Sequence, residues 1–413
     1  MKDKARALFS ESLFRNSVYL MLTTGTMALF GFVFWLLVAH LYRPAQLGIA
    51  SILISSMNFI THFSLLGLNS TFLRFLPKSK NRNEQIDTGL IIVAIGAVVA
   101  AGLFAFFAPH FAPRLNILHQ NVLYTLGFVL LCLGASLNLI TDSIFIAYRS
   151  AGYNLVIDGF IASSIQLALP ILLIGLGAYG IYVAQGSAAL VAMIVSIAVL
   201  VRKFSYQPSF NINLSILRGI KRYSSASYVA SLLAVLPTII LPIIILNKLG
   251  AAPAGYYYLA YMMANLLFAI AYAVAQSLFT EGSYGERRLR LLIKRGAIFL
   301  AVLMIPASLL LAGLGPFVLD IFGKTYGEHS RQVIMVLAAV GPFVAANALG
   351  NVVLSIQKQL KALVCVNLVY AVATCAFALL YAQRGLAWVA GAWLVGYVVS
   401  DAAIFILLGL QYR

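Results

Sequence analysis

Apolar residues along this chain fall in unbroken runs of roughly 20 residues, divided by short polar loops, and not in the two-residue alternation of a sheet strand. Twelve such runs stand out, at 17–39, 48–70, 88–107, 122–146, 157–177, 179–201, 223–247, 255–279, 296–316, 331–355, 362–382 and 386–409. Each is long enough to cross a hydrocarbon core as a helix. The other structure lipid permits, a closed β-barrel, would show short alternating segments, and the chain has none. The pattern predicts an all-α membrane protein of twelve transmembrane helices.

Composition strengthens this reading. Of 413 residues, 62% are hydrophobic and 9% charged, with a mean hydropathy of +0.97. The formal charge of +17 invites a nucleic-acid partner, but the positions of the cations argue against one. With both termini in the cytoplasm, only Arg43, Arg114, Lys248, Lys324, Arg331 and Arg384 of the 28 Lys and Arg fall on the far side. That asymmetry is an orientation signal, and it predicts a multi-pass protein of a bacterial-type inner membrane. The first run lacks a short apolar core followed by a small-residue cleavage site, so it reads as a retained helix. Cys132, Cys365 and Cys375 all lie inside runs, which indicates neither a disulfide framework nor a metal site.

The halves repeat. At an offset of 207, drifting to 209 and then 205, Arg15 matches Arg222, Gly48 matches Gly255, and Asn58 matches Asn265. Asn69 matches Gln276, Asn138 matches Asn347, Asp142 matches Asn351, Arg149 matches Lys358, Asp158 matches Asn367, and Gly186 matches Gly391. Polar matches are rare within lipid-embedded sequence, so they carry the repeat. Six helices per repeat give lobes of like orientation about an axis along the membrane normal, facing one another across a central space. The predicted organisation is a cytoplasmic amphipathic N-terminus (1–16), an N-lobe (17–201), a cytoplasmic linker (202–222), a C-lobe (223–409) and a cytoplasmic tail (410–413). Segments 5–14, 213–222 and 286–295 mix leucines with cations and read as short basic interfacial helices beside anionic lipid. Pro237 and Pro242 mark the seventh span as the one most prone to bend.

Polar stripes give the candidate site. On the second span, Asn58, His62 and Asn69 stand at i, i+4 and i+11, within about 40° of one helical face. On the eighth, Tyr261, Asn265, Tyr272 and Gln276 cover about 60° of one face. These seven are the candidates for a substrate cavity, where tyrosines pack on sugar rings. The fourth and tenth spans repeat the spacing with Asn138, Asp142 and Arg149, and with Asn347, Asn351 and Lys358. Interhelical hydrogen bonding within each lobe is the competing reading. Arg74, Arg149, Glu281 and Lys358 are candidates for a phosphate contact or a gate, Arg74 and Glu281 matching at offset 207 with opposite charge. Asp142 and Asp401 are candidates for coupling to a proton or cation gradient, since ionisable groups inside a membrane are costly. His62 reads either as a proton carrier or as a hydrogen-bonded structural histidine.

An enzyme is disfavoured. The chain has no nucleotide-binding loop, no HExxH and no soluble segment with paired carboxylates, and no cofactor motif. It resembles instead the polysaccharide-exporter branch of the multidrug/oligosaccharidyl-lipid/polysaccharide (MOP) exporter superfamily, which includes the O-antigen flippases. The resembling residues are Arg15-Asn16-Ser17, Gly31-Phe32 to Ala39, and Leu41-Tyr42-Arg43-Pro44 to Leu47-Gly48. They continue with Leu66-Gly67-Leu68 to Arg74-Phe75-Leu76-Pro77, Gly177 to Gly186, and Gly385 to Gly391. The resemblance implies a MATE-like fold with two pseudo-symmetric lobes around a central cationic cavity, working by alternating access. It implies an undecaprenyl-pyrophosphate-linked oligosaccharide as substrate, moved to the periplasmic leaflet, with membrane lipids and other polysaccharide-assembly proteins as partners. Few cations lie deep in the spans, so a pyrophosphate site would be shallow. Two other functions fit the pattern: a cation-coupled small-molecule exporter of the same fold, whose usual first-helix carboxylate is missing from 17–39, and a noncatalytic scaffold of a glycan-assembly complex.

Overall fold

The computed structural model describes residues 12–79, 81–209, 224–282 and 289–411. Its long helices are α1 (Ser12–Leu41), α2 (Pro44–Ser64), α4 (Arg82–Phe111), α5 (Val122–Ala147), α6 (Gly152–Leu172) and α7 (Gly177–Phe204) in the first half. The second half has α8 (Ser224–Lys248), α9 (Ala251–Gly282), α10 (Leu289–Phe322), α11 (Lys324–Ile356), α12 (Leu360–Tyr381) and α13 (Leu386–Gln411). A short helix, α3 (Leu68–Phe75), follows α2. Among the described residues twelve helices are long and apolar enough to cross a membrane, as the sequence predicts.

The ends of these helices follow local chemistry. Pro44 starts α2, where a missing N–H costs nothing. Asn121 caps α5 by accepting from the Leu123 N–H at 2.9 Å. The turns into α9, α11 and α13 pass through Gly250, Gly323 and Gly385 at φ 113°, 133° and 118°, a region only glycine enters cheaply. Two expectations about boundaries fail. The second span stops at Ser64 and not at residue 70, because Leu66 and Gly67 both take positive φ and restart the chain as α3. Residues 289–295 are the opening turns of α10 and not a separate interfacial helix. The segments 5–11 and 213–222 lie outside the described residues. The seventh span, with Pro237 and Pro242, is a single helix.

Contacts divide the chain into two units. The first comprises residues 1–42 and 53–225, the second 43–52 and 226–413. In the first, α5 packs against α3, α4 and α7, and α1 against α6. The α4 face turned inward is a stripe of small residues, Ala97, Ala101, Ala105 and Ala108, all buried. In lipid, where burial of apolar surface gives no net drive, such stripes let backbones approach and gain dispersion. Buried Asp87, in the first turns of α4, accepts from the Tyr206 hydroxyl and from the Ser209 N–H and hydroxyl, tying the segment after α7 to the unit. Burial pushes the Tyr206 hydroxyl pKa up, and its contact with Asp87 raises it further. In the second unit α11 is the central helix, packed by α9, α10 and α13. The opening of α2 belongs to this unit. There, a Cβ on Gly48 would sit 2.8 Å from the Gly255 nitrogen, so the matched glycines allow the backbones to touch.

Candidate functional site

Each unit holds a polar cluster on equivalent helices. In the first, Asn138 and Asp142 come from α5 and Asn154 and Asp158 from α6. Residues 155–162 of α6 are wound as a π-helix, which lets the Ser163 hydroxyl bond the Asp158 carbonyl at 2.7 Å. Asn138 donates to Asp158 at 2.8 Å, and Asn154 donates to the Asp142 carbonyl at 3.3 Å. The Asp142 and Asp158 carboxyl groups are near neighbours that interact electrostatically. Three buried acceptors there have no partner: Asn138 Oδ1, Asp142 Oδ1 and Asn154 Oδ1. Neighbouring carboxyl groups in a buried site disfavour one another's ionisation.

The second unit replaces acids by amides. Asn367 of α12 donates to Asn351 Oδ1 at 2.9 Å, and Asn351 of α11 donates to Asn347 Oδ1 at 2.7 Å. Asn347 donates in turn to Ser400 at 2.8 Å and to Asp401 at 2.9 Å, both on α13. Beside this ladder lies a cavity of about 430 Å³. Tyr272 and Gln276 of α9, Ser227 and Ser231 of α8, Tyr370 of α12 and Tyr397 of α13 line it together with Asn347, Asn351 and Asn367. Tyr397 meets the hydroxyls of Tyr272 at 3.2 Å and Tyr370 at 3.3 Å. Trp393 donates to Tyr257 at 2.6 Å and stacks on Tyr261 with ring centroids 5.2 Å apart.

The structure brings together only part of the predicted site. Tyr272 and Gln276 reach the cavity; Tyr261 is held in the aromatic stack and Asn265 is exposed on α9. Asn58 and His62 are exposed on α2, but Asn69 does not continue their stripe, because the break at Leu66-Gly67 places it on α3. Arg149 and Lys358 likewise leave their stripes. Both lie past the last helical turn, with φ 56° and 57°. The side chains of Arg74 and Glu281, the predicted gate pair, lie outside the described residues. Asp142 joins Asp158, and Asp401 ends the amide ladder with its Oδ2 unpartnered. Sequence reasoning missed Tyr370, Trp393, Tyr397 and Ser400. Their signal was present: Trp393, Tyr397 and Ser400 recur at helical spacing on one face of α13.

Twelve helices long and apolar enough to cross a membrane, with a polar cluster in each unit and a polar cavity in the second, define a polytopic membrane protein, and the solved structures agree on the fold. The chain is similar to an inward-facing multidrug resistance MATE family transporter of the MOP superfamily, with a TM-score of 0.71 at 14% identity over 93% of this chain and 94% of that one. It is similar to the lipid II flippase MurJ in an inward closed conformation, at 0.75 and 11% identity over 95% and 87%. A MOP superfamily transporter from Pyrococcus furiosus gives 0.65 and 14% over 97% and 95%. No curated protein matches in sequence. The family model for polysaccharide biosynthesis proteins matches residues 13–279, well over half of the chain. The chain belongs to that family.

Proposed function

We propose that this protein is a flippase that carries a lipid-linked oligosaccharide across the inner membrane by alternating access, from the cytoplasmic to the periplasmic leaflet, with both termini cytoplasmic. The observation that carries the reading is the cavity of the second unit. Its described lining offers tyrosine faces, amides and hydroxyls, and no charged side chain. Amides and hydroxyls exchange hydrogen bonds with sugar hydroxyls, and aromatic faces cover the apolar faces of sugar rings. A site for cationic drugs would call for a carboxylate in the lining, which disfavours the small-molecule exporter; a scaffold has no need of a cavity with a polar lining. The family's place in polysaccharide biosynthesis and the lipid-linked substrate in the name of the flippase MurJ support a lipid carrier of the polyprenyl pyrophosphate type, handed over by other polysaccharide-assembly proteins.

We assign coupling to a proton or cation gradient to the Asp142–Asp158 pair, because two neighbouring buried carboxyl groups beside three unpartnered acceptors offer oxygen atoms to a proton or a small monovalent cation. The test of the substrate reading is transport of an undecaprenyl-pyrophosphate-linked oligosaccharide into vesicles containing the purified protein. Tyr272→Ala and Asn351→Ala are each expected to slow it about tenfold, the effect of losing one stacking or buried hydrogen-bonding contact. Transport at the parental rate in both variants would remove the cavity from the substrate path.

A further inference from the structure

A second opening in the second unit is apolar where the cavity beside the amide ladder is polar. It is a groove of about 310 Å³ between α10, α11 and α13, and every described residue lining it is apolar. Along α10 the lining runs from Ile293 to Ile305, and along α11 from Val353 to Pro342. Leu300, Met304 and Val353 are buried and form the floor, while Ala297, Ala301 and Ala346 are exposed along the rim. The internal repeat shows that the fold alone does not open this groove. In the first unit Ala297 is matched by Leu90 and Ala346 by Leu137, and both leucines pack against one buried core. Ile86, Val93, Ile140 and Ile144 match Ile293, Leu300, Leu349 and Val353. All four belong to that core, together with Phe72 of α3 and Tyr206 after α7. The first unit therefore fills from within what the second leaves open to an outside chain.

Length and charge select the occupant. From Ile293 to Ile305 an α-helix rises about 18 Å, slightly more than half of a hydrocarbon core about 30 Å thick. The apolar span of α10 begins at Ile293. The groove therefore starts at one membrane surface and ends near the midplane, the reach of an acyl chain in one leaflet. At that surface Lys294 and Arg295 are exposed. At ~100° per residue Lys294 falls between Ala301 and Ile305 around α10, on the rim of the groove. A hydrocarbon trough that opens beside a cation, with no carboxylate among its described lining residues, matches a lipid with an apolar tail and an anionic head. We propose that this groove is a binding site for an anionic phospholipid that stays in its leaflet, with one acyl chain between α10 and α11 and its phosphate beside Lys294. The other side of α11 carries Asn347, Asn351 and Ser355 into the polar cavity, so the bound chain braces the helix on which that cavity is built.

The test uses the full chain purified in neutral detergent. Bound lipid is counted by native mass spectrometry while dioleoylphosphatidylglycerol or dioleoylphosphatidylcholine is titrated in. The parent is expected to retain phosphatidylglycerol in preference to phosphatidylcholine and to unfold at a higher temperature with it. Ala297→Leu combined with Ala346→Leu gives the groove the side chains of the first unit. That variant should lose the retained lipid without a fall in the unfolding temperature of the lipid-free protein. Lys294→Gln should bind phosphatidylglycerol about fivefold more weakly, the effect of one cation near an anionic headgroup. Arg202→Gln, at an exposed cation in the last turn of α7, should leave that binding unchanged. Should the double leucine variant fail to fold, the contrast of Lys294→Gln with Arg202→Gln decides. Parental retention in the folded double leucine variant overturns the proposal, as do equal retention of the two phospholipids and equal losses in Lys294→Gln and Arg202→Gln. Displacement of the retained phospholipid by geranylgeranyl pyrophosphate also overturns it, because the groove would then belong to a transported carrier. No oligosaccharide is present in the assay, so its outcome is separate from that of the transport test above.

Discussion

The two units build the same framework from opposite materials. On α5 and α6 the matched positions are Asp142 and Asp158; on α11 and α12 they are Asn351 and Asn367. The amides form a directional ladder in which Asn367, Asn351 and Asn347 each donate to the next group, ending on Ser400 and Asp401. The acids leave Asn138, Asp142 and Asn154 each with an unpartnered acceptor. An amide carries both donor and acceptor and closes its own network, whereas a carboxylate only accepts. The first unit is therefore left with spare acceptors, which is the basis of the proposed coupling role, while the second links its amides to one another beside a cavity with an uncharged lining.

The sharpest way to break this contrast is to give the first unit the chemistry of the second. Asp142→Asn and Asp158→Asn preserve size and hydrogen-bonding capacity but remove the carboxylate. Gradient-driven transport in reconstituted vesicles is expected to drop by about two orders of magnitude, as for loss of an obligatory proton-handling group, with membrane abundance unchanged. Parental transport with parental gradient dependence would make the acid pair interhelical glue and leave the two units functionally alike.

A smaller effect tests the ladder. Asn347 is its keystone, accepting from Asn351 and donating to both Ser400 and Asp401. Removing it by Asn347→Ala strands Asp401, whose Oδ2 already lacks a partner. Intramembrane hydrogen bonds average about 0.6 kcal/mol each, so the loss should approach about 2 kcal/mol. Unfolding in detergent at graded denaturant reads this directly. Asn138→Ala, at the matched position, breaks only its single bond to Asp158 and should cost less. Equal losses would show that the ladder is no better connected than the acid cluster.

Much of this was legible in the sequence, because lipid enforces it. Uninterrupted apolar runs fix the helices, and polar residues within them are costly enough to stand out, which is why Asn138, Asp142, Asn347 and Asn351 were found. Three features were hidden for physical reasons. Helical periodicity continues through Leu65-Leu66-Gly67, so Asn69 looked like part of the α2 face until the backbone reversed there. Tyr370 and Tyr397 count as apolar in a hydropathy pattern, and their hydroxyls matter only once α9, α12 and α13 meet. Arg149 and Lys358 extended a helical spacing, and a cation in place of the usual glycine gives no hint that the helix has ended.

The smallest difference concerns glycines that the repeat equates and the structure does not. Gly186 of α7 packs into α5: an added Cβ would lie 2.7 Å from the Leu131 Cβ and 3.1 Å from its Cγ. The Leu131 Cβ is fixed to its backbone and cannot rotate away. Its repeat partner Gly391, in α13, has nothing within 4 Å of an added methyl group. Alanine favours a helix over glycine by about 0.8–1.0 kcal/mol, while overpacking a tight interface costs about 1–3 kcal/mol. At Gly186 the clash wins, and Gly186→Ala should lower the unfolding free energy by about 1 kcal/mol. At Gly391 only the helical preference operates, so Gly391→Ala should be neutral or stabilising by up to about 1 kcal/mol. Thermal unfolding of the two variants side by side reads the sign. A fall in both would mean that the repeat preserved close packing at α13 as well. A rise in both would mean that α5 and α7 yield to the added methyl, and that the first unit is less tightly built around Leu131 than these distances require.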